Sequence, residues 1–116
     1  MSITLYGISN CDTVKKARNW LDSNATTYTF HDFRKDGIDN KLVSRILDQV
    51  DVDVLVNKRG LSWRQLDDSQ KQLGDKNAVI ELLVNVPTLI KRPVLAINGE
   101  YVIGFNEKDY AVLQFD

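Results

Sequence analysis

Residues 3–33 change their hydrophobic period twice. Ile3-Thr4-Leu5-Tyr6 is a short, mostly apolar run. Val14, Ala17, Trp20 and Leu21 then recur at helical spacing, and Thr26-Thr27-Tyr28-Thr29-Phe30-His31-Asp32-Phe33 returns to β-branched and aromatic residues. Runs of the first and last kind form strands, and the middle pattern is one inward stripe of an amphipathic helix. The spacing predicts a strand over 3–6, a helix from about Asp12 to Ser23 ended by Asn24, and a second strand over 26–33. Two strands joined by one helix at this separation form a right-handed crossover with a parallel pair. Such a sheet binds ligands at the carboxyl ends of its strands.

The middle of the chain has a different texture. Asp36-Gly37 is a turn, and Asp39 is a predicted cap for a helix carrying Leu42, Val43, Ile46, Leu47 and Val50. A short helical stretch over 52–56 precedes the basic turn Asn57-Lys58-Arg59-Gly60. Ser62 is a predicted cap for a brief helix through Trp63 and Leu66. Asp75 is another, for a helix with Val79, Ile80, Leu82 and Leu83 that stops before Pro87. Sheet then resumes. Pro93 to Ile97 reads as a strand, Asn98-Gly99 is a strong two-residue hairpin signal, and Tyr101 to Ile103 returns. Asn106 caps a last helix, Glu107 to Gln114. The order is βαβ, a helical insert over about 38–87, then ββα: an α/β, thioredoxin-like fold with a mixed four-stranded sheet and an all-helical insertion. The 116 residues suffice for a single domain over 1–116 with its own core, and no repeat or low-complexity tract divides them.

Charge and composition exclude several functions. A net charge of −1 leaves no broad basic field for nucleic acid. No apolar stretch is long enough to span a bilayer, and the N-terminus lacks a charged-then-apolar signal pattern. One cysteine and one histidine, far apart, argue against a zinc site. The lone cysteine and missing export signal predict a reducing, cytoplasmic location.

That cysteine, Cys11, lies where the first strand gives way to the helix. A lone cysteine is commonly a small buried hydrophobe. Here its neighbours Ser9, Asn10, Asp12 and Thr13 are polar, and it opens a helix, whose unpaired N–H groups and dipole favour the nucleophilic thiolate. Lys15 and Lys16 add cations nearby, while the Asp12 charge acts in the opposite sense. With no second cysteine, a redox cycle must take its resolving thiol from outside. Arg92-Pro93 precedes the third strand, where a proline is tolerated. It reads either as an edge arginine with a turn proline or, in a thioredoxin-like fold, as the cis-proline position beside the active cysteine. Arg59 is either a solvated turn residue or an arginine fork for a carboxylate or oxyanion. His31 within the second strand reads as structural, and Trp20, Trp63 and the tyrosines as packing.

Cys11 at the strand–helix turn, Arg59-Gly60 and Arg92-Pro93 together resemble the ArsC/Spx family. The strings Leu5-Tyr6-Gly7-Ile8, Asn10-Cys11-Asp12-Thr13, Lys15-Lys16-Ala17-Arg18, Phe30-His31-Asp32, Trp63-Arg64, Ile90-Lys91-Arg92-Pro93 and Gly104-Phe105 are similar to its YffB branch. The resemblance implies a glutathione-dependent thiol reductase. Cys11 would be its nucleophile and Arg92 the arginine beside the cis proline, with Asn10, Asp12, Thr13, Arg59 and Pro93 lining the substrate site. Glutathione would be a co-substrate, no cofactor would be bound, and glutathionylated or disulfide-bearing proteins would be partners of a monomer that contacts neither nucleic acid nor membrane. Two alternatives come with the family. Its glutaredoxin-coupled arsenate reductases carry a histidine in place of Gly7, a serine in place of Val14 and a third arginine in place of Phe105. Losing one of three arginines weakens the hold on a multiply charged oxyanion. Its Spx-type regulators bind RNA polymerase, and many use a Cys-x-x-Cys switch whose second position is Val14 here. The acidic and apolar stretch from Asp48 to Leu55 is the candidate contact surface for that role.

Overall fold

Strand β1 (Ile3–Gly7) organises the sheet, because its alternating buried residues Ile3, Leu5 and Gly7 face a core while both its edges are paired. The computed structural model describes residues 2–113 and 115. On one edge β1 runs parallel to β2 (Thr29–Asp32), with Gly7 opposite Asp32. On the other it runs antiparallel to β3 (Val94–Ile97), with Leu5 opposite Leu95. β3 turns back into β4 (Glu100–Ile103), giving the order β2-β1-β3-β4. The turn needs two residues with positive φ, and Asn98 (53°) and Gly99 (77°) supply them. This is the mixed four-stranded sheet of a thioredoxin-like fold.

Helix α1 (Asp12–Ser23) buries Val14, Ala17 and Leu21 completely. Ala17 and Leu21 join Ile3, Leu5, Leu95, Ile97 and Tyr110 in one cluster, with Trp20 and Phe105 packed against it. Each large side chain removed from water here contributes roughly 1.5–3 kcal/mol. Strand β2 is shorter than the predicted 26–33. Ala25 adopts a left-handed φ of 54°, and the Thr26 N–H donates to the Leu21 carbonyl, so these residues close the end of α1 instead of extending the sheet.

Ile38–Lys91 forms one compact unit, and the chain on either side of it forms the other. At its end the Lys91 N–H donates to the Leu55 carbonyl at 2.7 Å. Within this unit, α2 (Asn40–Gln49) packs on α5 (Lys76–Asn85). Asp39 and Asp75 cap them as predicted, accepting from the Leu42 and Asn77 N–H groups. Short helices α3 (Val52–Leu55) and α4 (Leu61–Arg64) and a 3-10 turn at Pro87–Leu89 complete it. The Ser62 cap is not observed. α4 starts after Gly60, and the Ser62 hydroxyl instead pairs with that of Thr88 at 2.6 Å.

The last helix, α6 (Glu107–Ala111), is capped by Asn106 as predicted but ends early, where the Leu113 N–H closes a tighter turn on the Tyr110 carbonyl. The predicted terminus at Gln114 lies outside the described residues. Tyr110 is fully buried, and its hydroxyl has no hydrogen-bond partner among the described residues. Burial pushes its phenol up from the ordinary value, so the group stays neutral. A buried, unsatisfied hydroxyl costs about 1–3 kcal/mol. Tyr110→Phe is therefore expected to raise stability by about 1 kcal/mol, read as a higher urea midpoint at an unchanged m-value.

Candidate functional site

The carboxyl ends of β1 and β2 form the base of the candidate site, with Gly7 and Asp32 as register partners. Gly7 is buried, and a Cβ built on it would lie 2.7 Å from Val14 Cγ2. The end of β1 and the first turn of α1 thus touch where any side chain would intrude. Between them the chain turns tightly, the Cys11 N–H donating to the Ile8 carbonyl at 3.1 Å. Cys11 occupies the extended N-cap position of α1, and its carbonyl accepts from the Lys15 N–H at 3.0 Å.

The thiol is part-exposed. Burial pushes it up, but the Val14 and Thr13 N–H groups and the Arg92 guanidinium, by hydrogen bonding and by charge, push it down further. The net direction is below the ordinary value of 9.0. The side chain makes no cap hydrogen bond, so the sulfur remains available at the helix start, where N–H groups and the helix dipole favour its ionised form.

Of the predicted residues, Cys11 and Arg92 are brought together. Asn10, Asp12 and Thr13 are exposed around the thiol's turn. The Arg92–Pro93 peptide bond is cis, and the buried Pro93 contributes its carbonyl to the sheet by accepting from Gly104 at 2.8 Å. Arg59 belongs to the helical unit. In its turn the Asn57 side chain accepts the Arg59 N–H, and Lys58 is held by Asp53 at 2.7 Å and lies over the Trp63 ring. The Arg59 side chain has no partner among the described residues and lines a cavity of about 350 Å³ with Lys58 and Lys91. His31 is structural as read, its Nε2 lying 2.7 Å from the Gly37 carbonyl. Phe105 is packing, stacked edge-on against Tyr110.

Sequence reasoning passed over Asp32. It is only 4% exposed, and its carboxylate accepts from the Ser9 N–H at 3.3 Å and the Arg34 N–H at 2.8 Å. The available signal was an acid ending an otherwise uncharged strand. Among the described residues no group of three or more His, Cys, Asp or Glu side chains is arranged to hold a metal ion, and no helix is long and apolar enough to cross a membrane.

A thioredoxin-like α/β protein with a single thiol at a helix N-terminus beside an arginine is the class that fold and site define. The model of the ArsC family matches residues 6–113, and the chain belongs to that family. It is 48% identical over 108 residues to an uncharacterised protein of Haemophilus influenzae, covering 93% of this chain and 95% of that one. The solved structure of a YffB protein is similar at a TM-score of 0.90 and 41% identity, over 95% of this chain and 96% of that one. An arsenate reductase (ArsC) related protein from Brucella melitensis is similar at a TM-score of 0.77 and 41% identity, over 95% and 92% of the two chains.

Proposed function

We propose that the protein is a glutathione-dependent thiol–disulfide oxidoreductase acting in a reducing compartment. The observation that carries this reading is a part-exposed thiol held below its ordinary value by helix N–H groups and Arg92. The Cys11 thiolate attacks the glutathione sulfur of a mixed disulfide R–S–S–G. The substrate S–S bond breaks, R–S⁻ leaves and takes a proton, and Cys11–S–S–G remains. A glutathione thiolate then attacks the glutathione sulfur of that intermediate, releasing the Cys11 thiolate and glutathione disulfide. The substrate disulfide is reduced and glutathione is oxidised. Arg92 stabilises the thiolate as attacking and leaving group. With Asn10, Asp12, Thr13 and Pro93 it receives the glutathionyl group.

Gly7, Val14 and Phe105 weigh against arsenate reduction. A histidine at position 7 would collide with Val14, and Phe105 is committed to the core. The test is formation of glutathione disulfide from a glutathionylated peptide and reduced glutathione, run beside arsenate with a glutaredoxin. Turnover of arsenate alone would replace the reading. Arg92→Ala is expected to move the pH inflection of Cys11 glutathionylation upward and slow the reaction at pH 7 about tenfold. An unchanged profile would remove Arg92 from the mechanism.

A further inference from the structure

Asp32 is the one charged side chain buried among the described residues, and no cation is paired with it there. An uncompensated carboxylate in the interior costs several kcal/mol, so its partners define its use. One oxygen accepts the Ser9 N–H and the other accepts the Arg34 N–H. The Lys35 N–H and the Ser9 hydroxyl also stabilise the charged form. The Asp32 N–H in turn donates to the Asp36 carboxylate at 2.9 Å. Ser9 lies inside the turn that the Cys11 N–H closes on the Ile8 carbonyl, and Arg34 lies in the turn that leaves β2. A single buried carboxylate therefore ties the thiol's turn to the exit of the neighbouring strand, next to the point where Gly7 and Asp32 pair.

We propose that Asp32 is a positioning residue for Cys11, its carboxylate clamping the Ile8–Asn10 turn so that the thiol stays in register with the Val14 and Thr13 N–H groups and with Arg92. The inference rests on Cys11 acting as the nucleophile. It makes a prediction opposite in sign to simple electrostatics. Removing a negative charge near a thiol makes the thiolate easier to form. Removing a clamp that aligns its donors makes it harder.

The experiment is the pH dependence of Cys11 alkylation by iodoacetamide, which needs no glutathione, in the wild type, Asp32→Asn and Ser9→Gly. Asn keeps one acceptor oxygen but turns an NH₂ toward a backbone donor. Ser9→Gly, at an exposed position, loses the hydroxyl contact to Asp32 and frees the turn backbone while leaving the carboxylate itself in place. Arg92 and the neighbouring charges Asp12 and Lys15 stay in place in both. The expected result is an inflection moved upward in both variants, with alkylation at pH 7 slowed about threefold or more in Asp32→Asn and less in Ser9→Gly. A downward shift in Asp32→Asn would reduce Asp32 to a nearby charge and overturn the proposal. If Asp32→Asn does not fold, Ser9→Gly decides, and an unmoved inflection there overturns it. A wild type that alkylates readily but makes no glutathione disulfide would sink the proposed reaction while leaving the Asp32 result intact.

Discussion

Cys11→Ser is expected to abolish glutathione-dependent disulfide reduction, with a loss of at least about 10³-fold in kcat/KM. A serine hydroxyl stays protonated at neutral pH, and an oxygen cannot take up the glutathionyl group as a disulfide. The helix N–H groups and Arg92 would still be present but would have no thiolate to stabilise. Intact-mass measurement after exposure to oxidised glutathione checks the same point, since Cys11 is the only cysteine and the variant should gain no adduct. Retained turnover in Cys11→Ser would end the mechanism. The variant also carries a stability signature. The folded-state pKa of Cys11 is depressed below 9.0, so the thiolate contributes stability that is fully present above the unfolded value and is lost as pH falls through the folded one. The stability gap between wild type and Cys11→Ser should therefore widen as pH rises through the folded pKa, and level off above 9.0.

The second large effect is expected at Gly7. A methyl group there would sit 2.7 Å from Val14 Cγ2, on a β-branched side chain with no exposed surface. Gly7→Ala should cost about 2 kcal/mol, measured by urea denaturation. In a Val14→Ala background the obstructing methyls are gone, and the same change should cost less than about 0.5 kcal/mol. Equal costs in the two backgrounds would mean that Val14 is not the obstacle. Because the Val14 N–H also faces the thiol, Gly7→Ala should slow Cys11 alkylation as well.

Features governed by local chemistry were readable in the sequence. The stripe Val14, Ala17, Leu21 placed α1 correctly, Asp39, Asp75 and Asn106 marked real helix starts, and Asn98-Gly99 marked a real hairpin. Misreadings arose where a distant partner outbid a local preference. Thr26 and Thr27 favour a strand, but Thr26 is tied back to Leu21. Ser62 favours a cap, but Thr88, 26 positions away, takes its hydroxyl. The site divided in the same manner. The place of Cys11 at the strand–helix turn followed from the hydrophobic pattern, whereas Arg92-Pro93 read equally as an edge arginine with a turn proline, and the fold shows that bond to be cis. Asp32 was passed over, because an aspartate at a strand end is ordinarily solvated, and only the tertiary fold shows that Ser9, 23 positions earlier, has closed over it.

The sheet unit is discontinuous along the chain, interrupted by Ile38–Lys91. β1 is synthesised early, yet one of its two neighbours, β3, lies beyond the interruption, as does Arg92. A growing chain that ends anywhere in the insert has made the cysteine and the helix N–H groups that face it, but not the guanidinium that adds to their effect. The Arg92 contribution to the thiol's acidity is thus acquired late, once the final strands have closed against the first, while that of the helix N–H groups comes with α1 itself. An unfinished chain lacks the guanidinium, so the last increment of acidity at the sulfur depends on the two ends having met.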